Sequence, residues 1–430
     1  MGVTSKIKME FGMRMARHVI LKEIINGCKK NLVLSPLSLQ FMLNLVASGS
    51  TGRSLEQLLS FLESESISDL NKQSSQILAI TTSERSPMSS HQESMSGHQR
   101  PFSSYSLSGI AGPSISDHQA PIIGFVNRLW VDHRFPLKES FKEIAKDVYN
   151  VEVRTVDFVT QVKQMKNEAN LWAKRATKGL IKKFLPPCCF DKYSMLVLAN
   201  ALYFKGTWGP TFETSRTCHE AFHLLGGATI KVPFMTGGSG SGIRLFYGSF
   251  EGFKLLKLPY KNDQDDKQFC MYIFLPDKKN GLQKLIENIN SDPRLLSGQL
   301  ELEKVELCKM WIPKMKFSYH IEVSSVMKEL GLTLPFKETG RELAEMVDYA
   351  DSRKVRVSKL IHKSRIQVNK KGKEAAACND LLSEVTSGPD VHLGPPPSFV
   401  ADHPFIFMIK EEGSGVVFFV GAVLNPLLEA

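Results

Sequence analysis

The side chains that commonly do chemistry are distributed along this chain in ways that argue against catalysis. Cys218, His219 and His223 are close enough in sequence to suggest a metal site. Their segment reads as a strand, in which His219 and His223 would share a face about 13 Å apart at the usual rise per residue. That is too far for one ion. Cys188-Cys189 is an adjacent pair, not a zinc spacing. His91, His98 and His118 fall in a Ser-rich tract and read as solvated. Gly372-Lys373 is followed by Glu374, where a phosphate loop needs Ser or Thr. The glycine-rich run from Gly237 to Gly242 lacks a nucleophile-elbow pattern and reads as a turn. No Ser/His/Asp or Cys/His grouping can be assembled, so no enzyme, metal or cofactor is expected. Lys174, Lys178 and Lys182, with Arg175 and Lys183 beside them, form a basic stripe if the segment is helical. A solvated outer face is preferred over a polyanion site, and no nucleic-acid partner is expected.

One stretch offers a different chemistry, that of a peptide bond presented for cutting. A strand ending in Ile366-Gln367-Val368 runs into Asn369 to Glu374, three alanines (Ala375, Ala376 and Ala377) and Cys378-Asn379. Little core signal follows until Gly394-Pro395-Pro396-Pro397, after which the apolar pattern resumes at Phe399. Structureless segments this long are usually functional or disordered. This one lies between core strands and reads as a presented loop spanning 370–401. Read as a strand, alternate residues separate into two faces, a pattern weakened by Lys373 and Asn379 on the inward one. Lys373, Ala375, Ala377, Asn379, Leu381, Ser383 and Val385 share one face. Glu374, Ala376, Cys378, Asp380, Leu382, Glu384 and Thr386 share the other, which is the more acidic.

The elements around the loop come from a chain of 430 residues, 42% hydrophobic and 23% charged, enough for a large core. No apolar run is long enough for a membrane span. The N-terminal residues show no signal-peptide core, and Lys6 spoils a myristoylation pattern. Seven scattered cysteines fit reduced intracellular thiols. The expected location is therefore the cytoplasm, with the nucleus or unconventional export left open. The net charge of +10 is modest for this length.

Helices are expected over Met13 to Ile25, from Pro36 through Leu45, and over Leu137 to Tyr149. Two more are expected over Gln161 to Phe184 and over Val323 to Leu330, the last closed by Gly331. Strands are expected over Ile122 to Val131, Met195 to Phe204, Phe269 to Leu275 and Met310 to Phe317. Three more follow over Arg356 to Val368, Phe405 to Ile409 and Val416 to Val423. Residues 82–119 are Ser- and His-rich and read as a mobile insertion. Helices and strands without a βαβ repeat indicate an α+β fold.

Several of these segments resemble the serpin family, and its plant branch in particular. They are Asn31-Leu32-Val33-Leu34-Ser35-Pro36-Leu37-Ser38, Asn127 with Leu129, Trp130 and Asp132, and Thr177-Lys178-Gly179-Leu180-Ile181. Asn200 to Trp208, Val357 to Ser364, Phe399 to Phe405 and Asn425-Pro426 complete the set. The resemblance implies one domain over residues 1–430 with three sheets, about eight or nine helices and an exposed reactive-centre loop. It implies a monomeric suicide-substrate inhibitor of serine, and by extension cysteine, proteases. A protease cuts the loop, which then inserts as a new strand in a large sheet. It also implies that Ser35, Ser38, Asn200 and His362 form a polar cluster where that sheet opens. The hinge would be Gly372, Lys373, Glu374, Ala375, Ala376, Ala377 and Cys378, and the scissile bond would lie near Thr386–Ser387.

Two departures bear on that mechanism. Lys370 replaces the family's usual acidic residue two positions before the loop glycine. Lys373 replaces the usual small residue after it, on the face that must enter the sheet first. Burying an unpaired ammonium costs several kcal/mol unless it is neutralised. The alternative function is therefore a non-inhibitory serpin that is only a protease substrate or binds a partner. No Lys or Arg occurs from Ala375 to Ile409, so the target is not expected to be trypsin-like.

Overall fold

The computed structural model describes residues 9–81, 121–177, 179–185, 189–209, 217–238, 244–261, 267–291, 295, 300–338, 340–348, 354–369 and 395–428. The hinge, the expected scissile bond and the 82–119 insertion lie outside the described residues. Among the described residues there are eight α-helices and three sheets, the α+β arrangement expected from the sequence. No described helix is long and apolar enough to cross a membrane.

The three longest strands share one five-stranded sheet. They are β2 (Ile122–Asp132), β4 (Leu196–Thr207) and β13 (Val357–Asn369), joined by β3 (Val151–Val156) and β12 (Lys316–Glu322). The order is β12-β13-β4-β2-β3. Strand β4 is buried along nearly its whole length, as an apolar strand covered on both faces should be. One cover is helix α2 (Pro36–Ser48), in which every residue is buried. Ser35 caps it, its hydroxyl accepting from the Ser38 amide at 3.1 Å, and Pro36 occupies the first turn.

The opposite cover is helix α6 (Val162–Ala176). It packs Met165, Ala169 and Ala173, spaced at i, i+4 and i+8, against Val197, Ala199 and Ala201 of β4 and Ile361 of β13. Small residues on both surfaces let helix and sheet approach closely. The sequence predicted this helix to reach Phe184, but it ends at Ala176. The Thr177 hydroxyl donates back to the Ala173 carbonyl at 2.6 Å and accepts from the Ile181 amide, and Gly179 turns the chain at φ +83°. The basic stripe is broken accordingly. Lys174 and Arg175 end the helix, Lys182 and Lys183 lie beyond the turn, and Lys178 is outside the described residues.

The segment expected as one strand over Met310 to Phe317 is two. Strand β11 (Lys309–Pro313) belongs to a four-stranded sheet and β12 to the five-stranded one, so the chain changes sheets at Lys314-Met315. The third sheet has seven strands. It contains β15 (Phe405–Glu411) and β16 (Val417–Val423), both buried throughout, with β1 (Leu32–Leu34) on its edge.

Candidate functional site, the seam between β4 and β13

Strands β4 and β13 run parallel, paired from Val357↔Leu196 to Asn369↔Thr207. Their other neighbours, β2 and β12, are antiparallel to them. Paired as they are, the two strands leave no space between them; only if they parted could both accept a strand antiparallel to each. The chain leaving β13 at Asn369 next appears among the described residues at 395–397 and enters β14 (Ser398–Val400), in the four-stranded sheet beside β11. The segment between is therefore tethered at one end to the seam and at the other to a different sheet.

The polar residues named from sequence meet across the seam, on the face covered by α2. His362 lies opposite Asn200, and Asn200 lies opposite Asn127. Ser35, Ser38, Asn200 and His362 are all fully buried. The Ser35 amide donates to His362 Nε2 at 3.1 Å, so that nitrogen must carry a lone pair. The proton then sits on Nδ1, which donates to Asn200 Oδ1 at 3.2 Å. Burial drives the imidazole pKa down to about 3, holding the ring neutral. The Asn200 amide in turn donates to Asn127 Oδ1.

Two further members join this network; neither was placed in the polar cluster from sequence, although Asn127 was among the residues carrying the resemblance. Ser364 lies two residues from His362 on the same strand face, 2.7 Å from Nε2, and Asn127 closes the chain on β2. The usable signal was period two: a buried His with a Ser two positions on, and an Asn inside an apolar strand. Ser38 Oγ and Asn127 Nδ2 are buried without a hydrogen-bond partner among the described residues. The cluster is thus neutral, largely satisfied and strung across three strands. Its bonds must rearrange for β4 and β13 to part.

The weighed metal candidates do not converge. In strand β5 (Thr217–His223), Cys218 is buried and His219 exposed, and the His223 ring contacts Thr229 and Lys279. Cys188 lies outside the described residues. Elsewhere Asp132, His133 and Asp157 come together. The Asp132 oxygens already accept from Arg134 and the Phe158 amide, and Asp157 accepts from the Val159 and Thr160 amides.

The family model described as serpin (serine protease inhibitor) matches residues 6–426. The chain is a serpin. A curated relative, Serpin-Z10 of Arabidopsis thaliana, is 38% identical over 417 residues, covering 96% of each chain. Serpin-ZXA of Oryza sativa subsp. japonica is 36% identical, covering 94% of this chain and 92% of its own. Among solved structures, this serpin is similar to Arabidopsis AtSerpin1 in its native stressed conformation. The TM-score is 0.78 at 33% identity, with 99% and 100% of the two chains covered. Uncleaved ovalbumin, at 22% identity and a TM-score of 0.73, shares the fold. Serpins are protease inhibitors and not enzymes, and a reactive-centre loop and metastable fold are typical of them. This accords with the absence of a catalytic grouping in the sequence.

Proposed function

We propose that this serpin is a suicide-substrate inhibitor whose loop, cut near Thr386–Ser387, inserts between β4 and β13. The observation that carries the reading is the parallel β4–β13 seam, with its loop leaving directly from β13. The cluster around His362 suits the opening step, since hydroxyl, amide and imidazole groups can exchange partners as strands separate. The uncut form would hold stability in reserve, released on cleavage.

The target is a serine-type, or by extension cysteine-type, protease that does not require Lys or Arg. Val385-Thr386 suits an enzyme preferring small or β-branched residues, and Glu384 suits an acid-specific one. The protein acts as a monomer, inside the cell, without cofactor, nucleic acid or membrane. Incubation with an elastase-like protease should yield a covalent complex that survives denaturing electrophoresis. Complete turnover to cut serpin with free, active protease would contradict inhibition.

Lys373 favours a second reading. If its ammonium stops the loop at the first inserted residue, deacylation wins, and the protein is a protease substrate or a partner-binding serpin. About 1.4 kcal/mol on the insertion barrier shifts that race tenfold.

A further inference from the structure

The α6 side of the seam carries a different chemistry from the polar cluster behind it. Alternate residues of β13 share this face, Lys359, Ile361, Lys363 and Arg365 among them. Lys359 faces a carboxylate, Asp191, at 3.9 Å. Lys363 and Arg365 face none among the described residues. Instead, Lys363 Nζ donates to the Lys183 carbonyl at 2.5 Å, in the turn past the end of α6. Burial, with Arg365 nearby, pulls its pKa down to about 8. The Arg365 Nε is buried without a hydrogen-bond partner.

The surroundings add donors and positive charge. Across from Lys363 on β12 is His320, whose pKa is lowered by burial and by Lys363 and Lys30. The carboxylate on that face of β12, Glu322 opposite Ile361, accepts from the Ser324 amide. The turn that supplies the Lys183 carbonyl has Lys182 and Lys183 exposed, and no acid occurs in the sequence from Thr177 to Phe190. A buried donor without an acceptor is a standing cost, and so are two like charges about 7 Å apart on one strand face.

We infer that Lys363 and Arg365, with His320 beside them and the turn after α6 above, form a binding site for a phosphate or sulfate oxyanion. One such ion removes both costs. Its several oxygens can accept from the planar guanidinium fork and from the ammonium together, and partial exclusion of water strengthens each bond. The inference concerns the uncut protein and is independent of loop insertion.

The test is a titration of the full uncut chain with inorganic phosphate at constant ionic strength, read by calorimetry and by Tm. The parent should bind one phosphate, with a Tm rise that saturates. Arg365→Gln should weaken binding by at least about tenfold, and Lys363→Met by about fivefold or more. Lys359→Met, whose lysine is already paired, should stay within about twofold of the parent. If the Arg365→Gln chain does not fold in chloride alone, Lys363→Met carries the same test. Tripolyphosphate distinguishes the sources. Tighter binding of tripolyphosphate, lost with Arg365, would assign the oxyanion to a larger phosphorylated molecule, and equal binding would assign it to the free ion. A Tm rise that does not saturate and is equal in parent and Arg365→Gln would be the general effect of such salts, and would overturn the site. Equal phosphate affinity in parent and Arg365→Gln would overturn it as well.

Discussion

The two faces of β13 solve the same problem in opposite ways. On the α2 side, His362 and Ser364 are buried and neutral, Ser364 bonding to His362 and His362 to the Ser35 amide and Asn200. On the α6 side, Lys363 and Arg365 are charged, partly desolvated and without a carboxylate among the described residues. The first face holds the closed seam together, because parting the strands breaks a connected set of bonds. The second leaves the closed seam electrostatically incomplete. The closed sheet is thus tied by hydrogen bonds on one face and carries charge without a carboxylate partner, among the described residues, on the other.

Removing the back-face latch should have the largest effect. His362→Ala leaves the Ser35 amide and the Asn200 carbonyl oxygen without a partner and opens a cavity. It should cost the uncut protein about 3–5 kcal/mol in urea unfolding. A loss under about 1 kcal/mol would mean the cluster is incidental.

A change of pH probes the same latch without mutation. In the folded protein His362 takes up its proton only near pH 3, whereas an unfolded His does so near 6.5. Between those values the unfolded chain binds more protons. Stability should therefore fall as pH drops below about 6.5, by at most about 1.4 kcal/mol per unit. Unfolding at pH 7 and pH 5 should show this loss in the parent, with a flatter response in the His362→Ala chain. Equal slopes in the two chains would remove His362 as the cause.

Lys373 tests whether the hinge limits the response of the seam. Lys373→Thr should lower the number of serpin molecules consumed per protease inhibited, with insertion faster by about tenfold. An unchanged stoichiometry would acquit the lysine.

The smallest effect should be on the front face. Lys363→Met removes a desolvated charge beside Arg365, so the uncut protein should keep its stability or gain up to about 1 kcal/mol. A loss above about 2 kcal/mol would show that the α6 face stabilises the closed form much as the α2 face does.

Much of this was legible in the residues. Pro36 announced the start of a helix, the apolar run from Met195 to Phe204 announced a strand, and Gly331 closed its helix at φ +102°. Ser35, Ser38, Asn200 and His362 were named from the family resemblance, and the structure places them together. What failed to show has physical causes. Lysine, leucine and isoleucine continue a helical composition past Ala176, so only the Thr177 hydroxyl and Gly179 mark the true end. The alternation across Met310 to Phe317 hides a change of sheet, because period two says nothing about which sheet a strand joins. Ser364 and Asn127 were not assigned to the cluster because a polar residue in a strand ordinarily reads as solvent-facing. Lys363 and Arg365 read that way too, and only the placement of the segment after α6 shows them half-buried.

The most direct measurement is thermal unfolding of the full chain before and after a single cut in the reactive-centre loop by an elastase-like protease. The account predicts a large rise in Tm after cutting, as the loop adds a strand between β4 and β13. An unchanged Tm would contradict it, and would mean that the seam stays closed around a hinge stopped at Lys373.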